Sequence, residues 1–208
     1  MKLFKYKNYE EYLALQIETN KRKIHRVWAG KKEIKKISVY IKDNIPNPQF
    51  GICHGSRNGW EVEAFRKALG IEVIGTDISP TAIQFHHMIQ FDFHKIKDEW
   101  IDNVDFIYSN SLDHSYDPEM CLDQWMKCIK LTGFCFIEWS PAHGDVPDAD
   151  DPFGGTILDY RNMISIRYKI IDEILVKCSG YRMWEDVKKK KKPRKKENRI
   201  VFVIKRNN

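Results

Sequence analysis

The chain lacks any apolar run approaching the ~20 residues needed to cross a bilayer. Its first residues, MKLFKYKNYEEY, carry no hydrophobic stretch of signal-peptide length. A cytoplasmic location without a membrane span is the expectation. Thiols are sparse and unpaired: Cys53, Cys121, Cys128, Cys135 and Cys178 make an odd five, with no CxxC spacing. That pattern speaks against a disulfide framework and against structural zinc, and favours reduced, mostly buried thiols. There is no internal repeat. At 208 residues the chain suits a single core of ordinary size that needs no staples.

Acidic charge is also in short supply, for a formal net charge of +6, and such a balance invites a nucleic-acid reading until it is localised. Residues 188–196 hold eight basic side chains in nine positions, and removing those eight leaves the remainder at −2. The basicity belongs to one segment, read as a solvated loop with at most a weak polyanion contact through Lys188 to Lys196.

What is present is an alternation of strand and helix. Tyr9 to about Lys42 is helix-rich, and Pro46 and Pro48 close it. Strands are then expected at Phe50 to Cys53, Glu72 to Thr76, Gln90 to Phe93, Val104 to Ser109 and Phe134 to Trp139, the last after a Thr132-Gly133 turn. Helices are expected at Glu61 to Leu69, Thr81 to Met88, Pro118 to Lys130 and Leu158 to Cys178. Arg182 to Val187 and Arg199 to Lys205 read as a closing hairpin around the lysine run. Alternation of this kind implies parallel pairing with right-handed crossovers.

The segment QFGICHGSRNGWEVEAFRKALGIEVIGTD, residues 49–77, runs from a strand through a glycine-punctuated turn and a helix to a second strand ending in an acid. Gly55 and Gly59 permit positive φ and close approach of a ligand to the backbone. The next helix N-terminus offers amide donors to an anionic group. Asp77, eighteen positions beyond Gly59, stands where a carboxylate can accept ribose hydroxyls, although capping a helix is the plainer role for such a residue.

Taken together, Cys53-His54-Gly55-Ser56-Arg57-Asn58-Gly59, Asp77, Asp92 in IQFDFH and VDFIYSNSLDHSYDP resemble the class I S-adenosylmethionine-dependent methyltransferases over roughly Phe50 to Lys205. The resemblance implies an α/β, Rossmann-like, mostly parallel seven-stranded sheet with an antiparallel C-terminal hairpin and helices on both faces. Residues 1–48 would form an N-terminal helical cap and residues 49–208 the domain for S-adenosyl-L-methionine. His54, Gly55, Ser56, Arg57, Gly59, Asp77, Ile78, Asp92, Phe93, Asn110 and Ser111 would hold that cofactor, with Ile78 and Phe93 against the adenine. Cys53 stands where the family usually has an acid, and Arg57 where it has the middle glycine.

Methyl transfer asks mainly for alignment and exclusion of water, so the expected acid-base equipment is modest. His114 and His143 are the candidate bases for an oxygen nucleophile. His143 lies in SPAHGDVPDADDPFGG, a loop of lid-like length whose Asp145, Asp148, Asp150 and Asp151 could offer oxygen ligands to magnesium or calcium but follow no metal-loop spacing, so a solvated acidic lid without a metal is the favoured expectation. No Pro-Pro-aromatic element follows the fourth strand and no Pro-Cys nucleophile appears, which directs the resemblance towards a small-molecule, sugar or glycan-precursor acceptor. Two other classes stay open. One is an NAD-dependent oxidoreductase, in whose fingerprint Arg57 would displace a glycine; the other is a non-catalytic fold that binds nucleic acid through its basic hairpin.

Overall fold

The computed structural model describes residues 1–179, 182–183 and 196–207. In chain order its elements are β1 (Lys2–Leu3), α1 (Tyr9–Lys23), β2 (Arg26–Val27), α2 (Lys31–Asn44), β3 (Phe50–His54), α3 (Trp60–Leu69), β4 (Glu72–Asp77), β5 (Met88–Gln90) and β6 (Val104–Ser109). There follow α4 (Pro118–Cys128), β7 (Ile129–Trp139), β8 (Phe153–Gly154), α5 (Ile157–Arg167), β9 (Lys169–Ser179), β10 (Arg182–Met183) and β11 (Lys196–Lys205).

Seven strands form one sheet in the order β5-β4-β3-β6-β7-β11-β9. The first five are parallel, and β11 runs antiparallel to both β7 and β9. Every residue of β6, VDFIYS, is buried, as a parallel strand covered on both faces requires. Cys53, Phe106, Tyr108 and Val203 face α2 and α3, while Ile52, Ile107, Cys135 and Phe202 face α4 and α5. Chain order reverses between β3 and β6, which opens a crevice beyond their carboxyl ends, the place where open α/β sheets bind ligands.

Five expectations are corrected. Thr81 to Met88 does not form a helix: a 3₁₀ turn, Pro80–Gln84, gives way to β5, which itself starts earlier than the expected Gln90. Ile83 is 72% exposed and His87 takes a positive φ, so no apolar face sustains further turns. Thr132-Gly133 lies within β7 and makes no turn. A side chain at Gly133 would meet the Asp105 carbonyl oxygen at 2.5 Å, so the glycine allows close strand contact there.

The expected long helix from Leu158 ends at Arg167, and β9 replaces its second half. The closing hairpin is therefore β9 with β11, while β10 pairs with β2. Ten ladder pairs along β11 bind Lys169–Ser179 as strand, a pairing more extensive than a surface helix over those residues could offer. Most of the lysine run lies outside the described residues.

Candidate functional site

The glycine turn leaves β3 at the crevice and bends back under the control of its neighbours. Gly55 takes φ +71°, and a Cβ there would lie 2.5 Å from that of Ser111, so the turn seats directly on the end of β6. Arg57 also takes a positive φ of 45°. Its amide donates to Asp77 Oδ2 at 3.0 Å, and Ser56 N donates to the Thr76 carbonyl at 2.9 Å. The end of β4 thus sets the conformation of the turn after β3, which compensates for the missing middle glycine.

Asp77 is 7% exposed. Burial pushes its carboxyl above the ordinary range even though the Ser79 and Arg57 amides favour the anion. Its Oδ1 accepts from Ser79 N at 2.9 Å and from Asn20 Nδ2 at 2.8 Å. Of roughly four lone-pair positions on a carboxylate, one on Oδ2 remains for a ligand hydroxyl. Asp92 accepts from His94 through Oδ1 and from the Tyr9 hydroxyl through Oδ2, at 2.8 Å each. Burial alone would raise its carboxyl, but the His94 contacts and the Tyr9 hydrogen bond outweigh it and hold the group below the usual range.

Two adjoining cavities occupy the crevice and share Gly55, Arg57, Ser111 and His114. The smaller, about 40 Å³, is lined by Asp77, Ile78, Asp92 and Phe93 from the sheet and by Tyr12, Gln16, Thr19 and Asn20 from α1. The larger, about 180 Å³, is walled by Ser56, Asn110, Asp113, His143 and Asp151, with Glu61, Lys23, Arg26 and Trp28. Gly59 opens α3 with φ +69° and lines neither. His54 is turned away from both: it is 2% exposed, stacks on Trp125 with ring centres 4.9 Å apart, and bonds Thr76 Oγ1 at 2.8 Å. Burial lowers its pKa to about 3, so this ring is neutral core, contrary to its expected role at a cofactor.

Both expected bases reach the larger cavity. His114 Nδ1 donates to the Asp150 carbonyl at 2.8 Å, which leaves the lone pair on Nε2. His143 is 9% exposed, lies 5.2 Å from the Trp28 ring centre, and has no partner for Nδ1. The nearest carboxylate is Asp113 Oδ2, 3.9 Å away. The loop carrying His143 is tied to α1 by hydrogen bonds from Gln16 and Thr19 to Asp150, and β1 pairs with β8 within it.

Sequence reasoning passed over Asn20, Tyr9, Glu61 and Asp113. Asn20 belongs to a face of α1 that is polar yet buried, where Gln16, Thr19 and Asn20 are each below 7% exposed, and Tyr9 opens the same helix at 36% exposed. Polar residues at helical spacing beside an apolar Tyr12 were the available signal. Glu61, in the first turn of α3, is 6% exposed. Burial pushes its carboxyl up to about 7, against the pull of its own amide, Arg57 and Ser56.

No protein-family model matches this chain, and no curated protein matches it by sequence. Solved structures do. The 1,6-didemethyltoxoflavin-N1-methyltransferase of Burkholderia thailandensis, with bound 1,6-didemethyltoxoflavin and S-adenosylhomocysteine, superimposes with TM-score 0.71 at 13% identity, covering 99% of this chain and 93% of that one. The plantazolicin methyltransferase BpumL in complex with S-adenosylhomocysteine gives 0.58 at 13% identity, covering 96% and 89%. The N-methyltransferase NodS of Bradyrhizobium japonicum WM9, also with S-adenosylhomocysteine, gives 0.58 at 12%, covering 93% and 99%. At such identities the likeness is one of architecture, and the chain has the fold of the S-adenosylmethionine-dependent methyltransferases.

Proposed function

We propose that this chain is an S-adenosylmethionine-dependent methyltransferase that methylates a hydroxyl of a small polar metabolite, a sugar or glycan precursor among the acceptors to try first. One observation carries the reading. Asp77 at the carboxyl end of β4 and Asp92 just beyond β5 flank a glycine turn whose cleft runs on into a polar cavity with two histidines. Residues 1–48 are assigned as a cap, since α1 supplies one wall of the smaller cavity.

The residues fit the cofactor. Asp77 retains one acceptor position for a ribose hydroxyl, and Ile78 and Phe93 offer apolar cover for an adenine. Arg57 stands where a carboxylate would pair with it. Cys53 is fully buried with its thiol pushed well up by burial, so it cannot replace the acid that the family has at this position. Glu61 can: it lines the larger cavity with Arg57, and its carboxylate would meet the amino group.

When bound, the cofactor supplies a methyl group already activated by the sulfonium charge. The chain's own task is to align an acceptor oxygen, shield it from water and take its proton. His143, which lines the larger cavity, accepts that proton, with Asp113 Oδ2 3.9 Å from its Nδ1 and so close enough to stabilise the resulting imidazolium. The loop over the cavity, anchored to α1 through Asp150, limits water.

Thermal shift and calorimetry against S-adenosylhomocysteine and NADH test the reading. Stabilisation by the former is expected; stabilisation by NADH alone would overturn it. Binding should also depend on pH through Glu61. Because its pKa is raised in the folded chain, Glu61 favours the native state below the unfolded value of about 4.5, and that contribution is lost as pH rises through about 7. An ammonium group restores it. S-adenosylhomocysteine affinity should therefore rise about tenfold between about pH 5.5 and about pH 7.5, below the titration of the ligand's own amine. Glu61→Gln should flatten that profile, and an unaltered profile would remove Glu61 from the site.

A further inference from the structure

The larger cavity holds more ligating chemistry than a methyl transfer requires. Among the described residues, Asp113, His114 and Asp151 form a group in which each offers one possible ligand atom within 4.8 Å of the others. Asp113 comes from the turn after β6 and Asp151 from the loop between β7 and β8, so the chain brings them together across 37 intervening positions. Neither belongs to a spacing that a sequence motif would reveal.

A cluster of acids is common on protein surfaces, but this one is set apart by what its members lack. Asp113 is 4% exposed, yet its Oδ1 is buried without a hydrogen-bond partner. His143, on the adjacent wall and 9% exposed, has an unpartnered Nδ1. Buried polar atoms are nearly always satisfied, so two orphans on residues that line one cavity mark a position that a ligand fills. The His114 ring is fixed beside Asp151, with Nδ1 3.4 Å from Asp151 Oδ1. Its Nδ1 donates to the Asp150 carbonyl at 2.8 Å, the outer bond that metal-ligating histidines usually make, and its Nε2 lone pair is available. Asp151 is held in turn by its amide, which donates to Asp148 Oδ1 at 2.9 Å.

We infer that Asp113, His114 and Asp151 bind a divalent transition-metal ion, of the zinc or manganese class, at the wall of the acceptor cavity. Two carboxylates and one imidazole suit such an ion better than magnesium or calcium, which prefer oxygen throughout. Three protein ligands leave coordination positions open towards the cavity. An acceptor hydroxyl placed there would ionise more readily, with His143 at hand for its proton. The inference deepens the methyltransferase reading and rests on it for the acceptor's role, while the ion site itself does not depend on it. It also departs from the expectation of a solvated acidic lid: spacing within the 140–156 loop alone does not reveal a ligand contributed from the turn after β6.

The test is calorimetric titration of the chelator-treated full chain with manganese and zinc, with and without S-adenosylhomocysteine, and with magnesium and calcium for comparison. One manganese or zinc ion per chain is expected, bound at least tenfold more weakly by both Asp113→Asn and Asp151→Asn. Melting temperature and S-adenosylhomocysteine affinity of each variant establish that it is folded. No binding of either ion at millimolar concentration, or binding that both variants leave unchanged, overturns the proposal. If S-adenosylhomocysteine binds but the ions do not, the metal site falls and the methyltransferase reading stands. If the ions bind but S-adenosylhomocysteine does not, the metal site stands and the methyltransferase reading falls.

Discussion

Replacing Arg199 with alanine should destabilise the protein by about 3–5 kcal/mol, the cost of leaving buried charge without its partner. The guanidinium is fully buried, with Nη1 3.2 Å from Glu138 and 3.5 Å from Glu33, both fully buried themselves. It also donates to the Trp28 carbonyl at 3.0 Å and lies 4.2 Å over the Trp28 ring. One cation thus joins β11, β7, α2 and the segment after β2. Burial, reinforced by repulsion from Glu33, pushes the Glu138 carboxyl well above its usual range, and Arg199 opposes that rise. A group raised in this way favours the fold below its unfolded pKa and loses that contribution as pH climbs through the folded value. The variant should therefore weaken further on the alkaline side. Urea unfolding would register the loss, equivalent to a fall of about 10 °C in Tm for a chain of this size. Adding Glu138→Gln should recover part of it, since the second change removes the stranded charge. A loss below about 1 kcal/mol, in the range of exposed pairs, would contradict the burial described.

Much of the sheet was legible because parallel strands buried on both faces appear in sequence as dense apolar runs, as in Ile52, Val73 and the whole of β6. The misreading of β9 has a definite physical cause. Pairing with β11 jumps from Asp172 to Ile170, leaving Ile171 unmatched and 44% exposed. That bulge reverses which face successive side chains occupy, so Ile170 packs towards α5 while Ile174 and Val176 pack towards α2. The resulting order of apolar residues, 170, 171, 174 and 175, imitates a helix. In the candidate site, glycines and strand-terminal acids announced themselves through local pattern. Asn20, Asp113 and Glu61 did not, because their significance lies in contacts between segments distant along the chain.

Asp77→Ala should weaken S-adenosylhomocysteine binding by about 1–3 kcal/mol, the usual penalty for stranding buried polar partners, or about 5- to 150-fold. Two effects contribute. The ligand loses the remaining acceptor on Oδ2, and the Arg57 and Ser79 amides lose the carboxylate that fixes the glycine turn. The Asn20 amide loses its partner as well, which loosens α1 where it covers the cleft. Asp77→Asn separates the contributions, because an amide keeps a carbonyl oxygen for one of the two backbone donors but carries no charge. Its affinity should fall between those of the parent and the alanine variant. Both variants should retain the far-UV dichroism of the parent, since the β4 ladder is made by backbone groups up to Asp77. Undiminished affinity in the alanine variant would take the ribose away from Asp77 and require another anchor for the cofactor on this sheet edge.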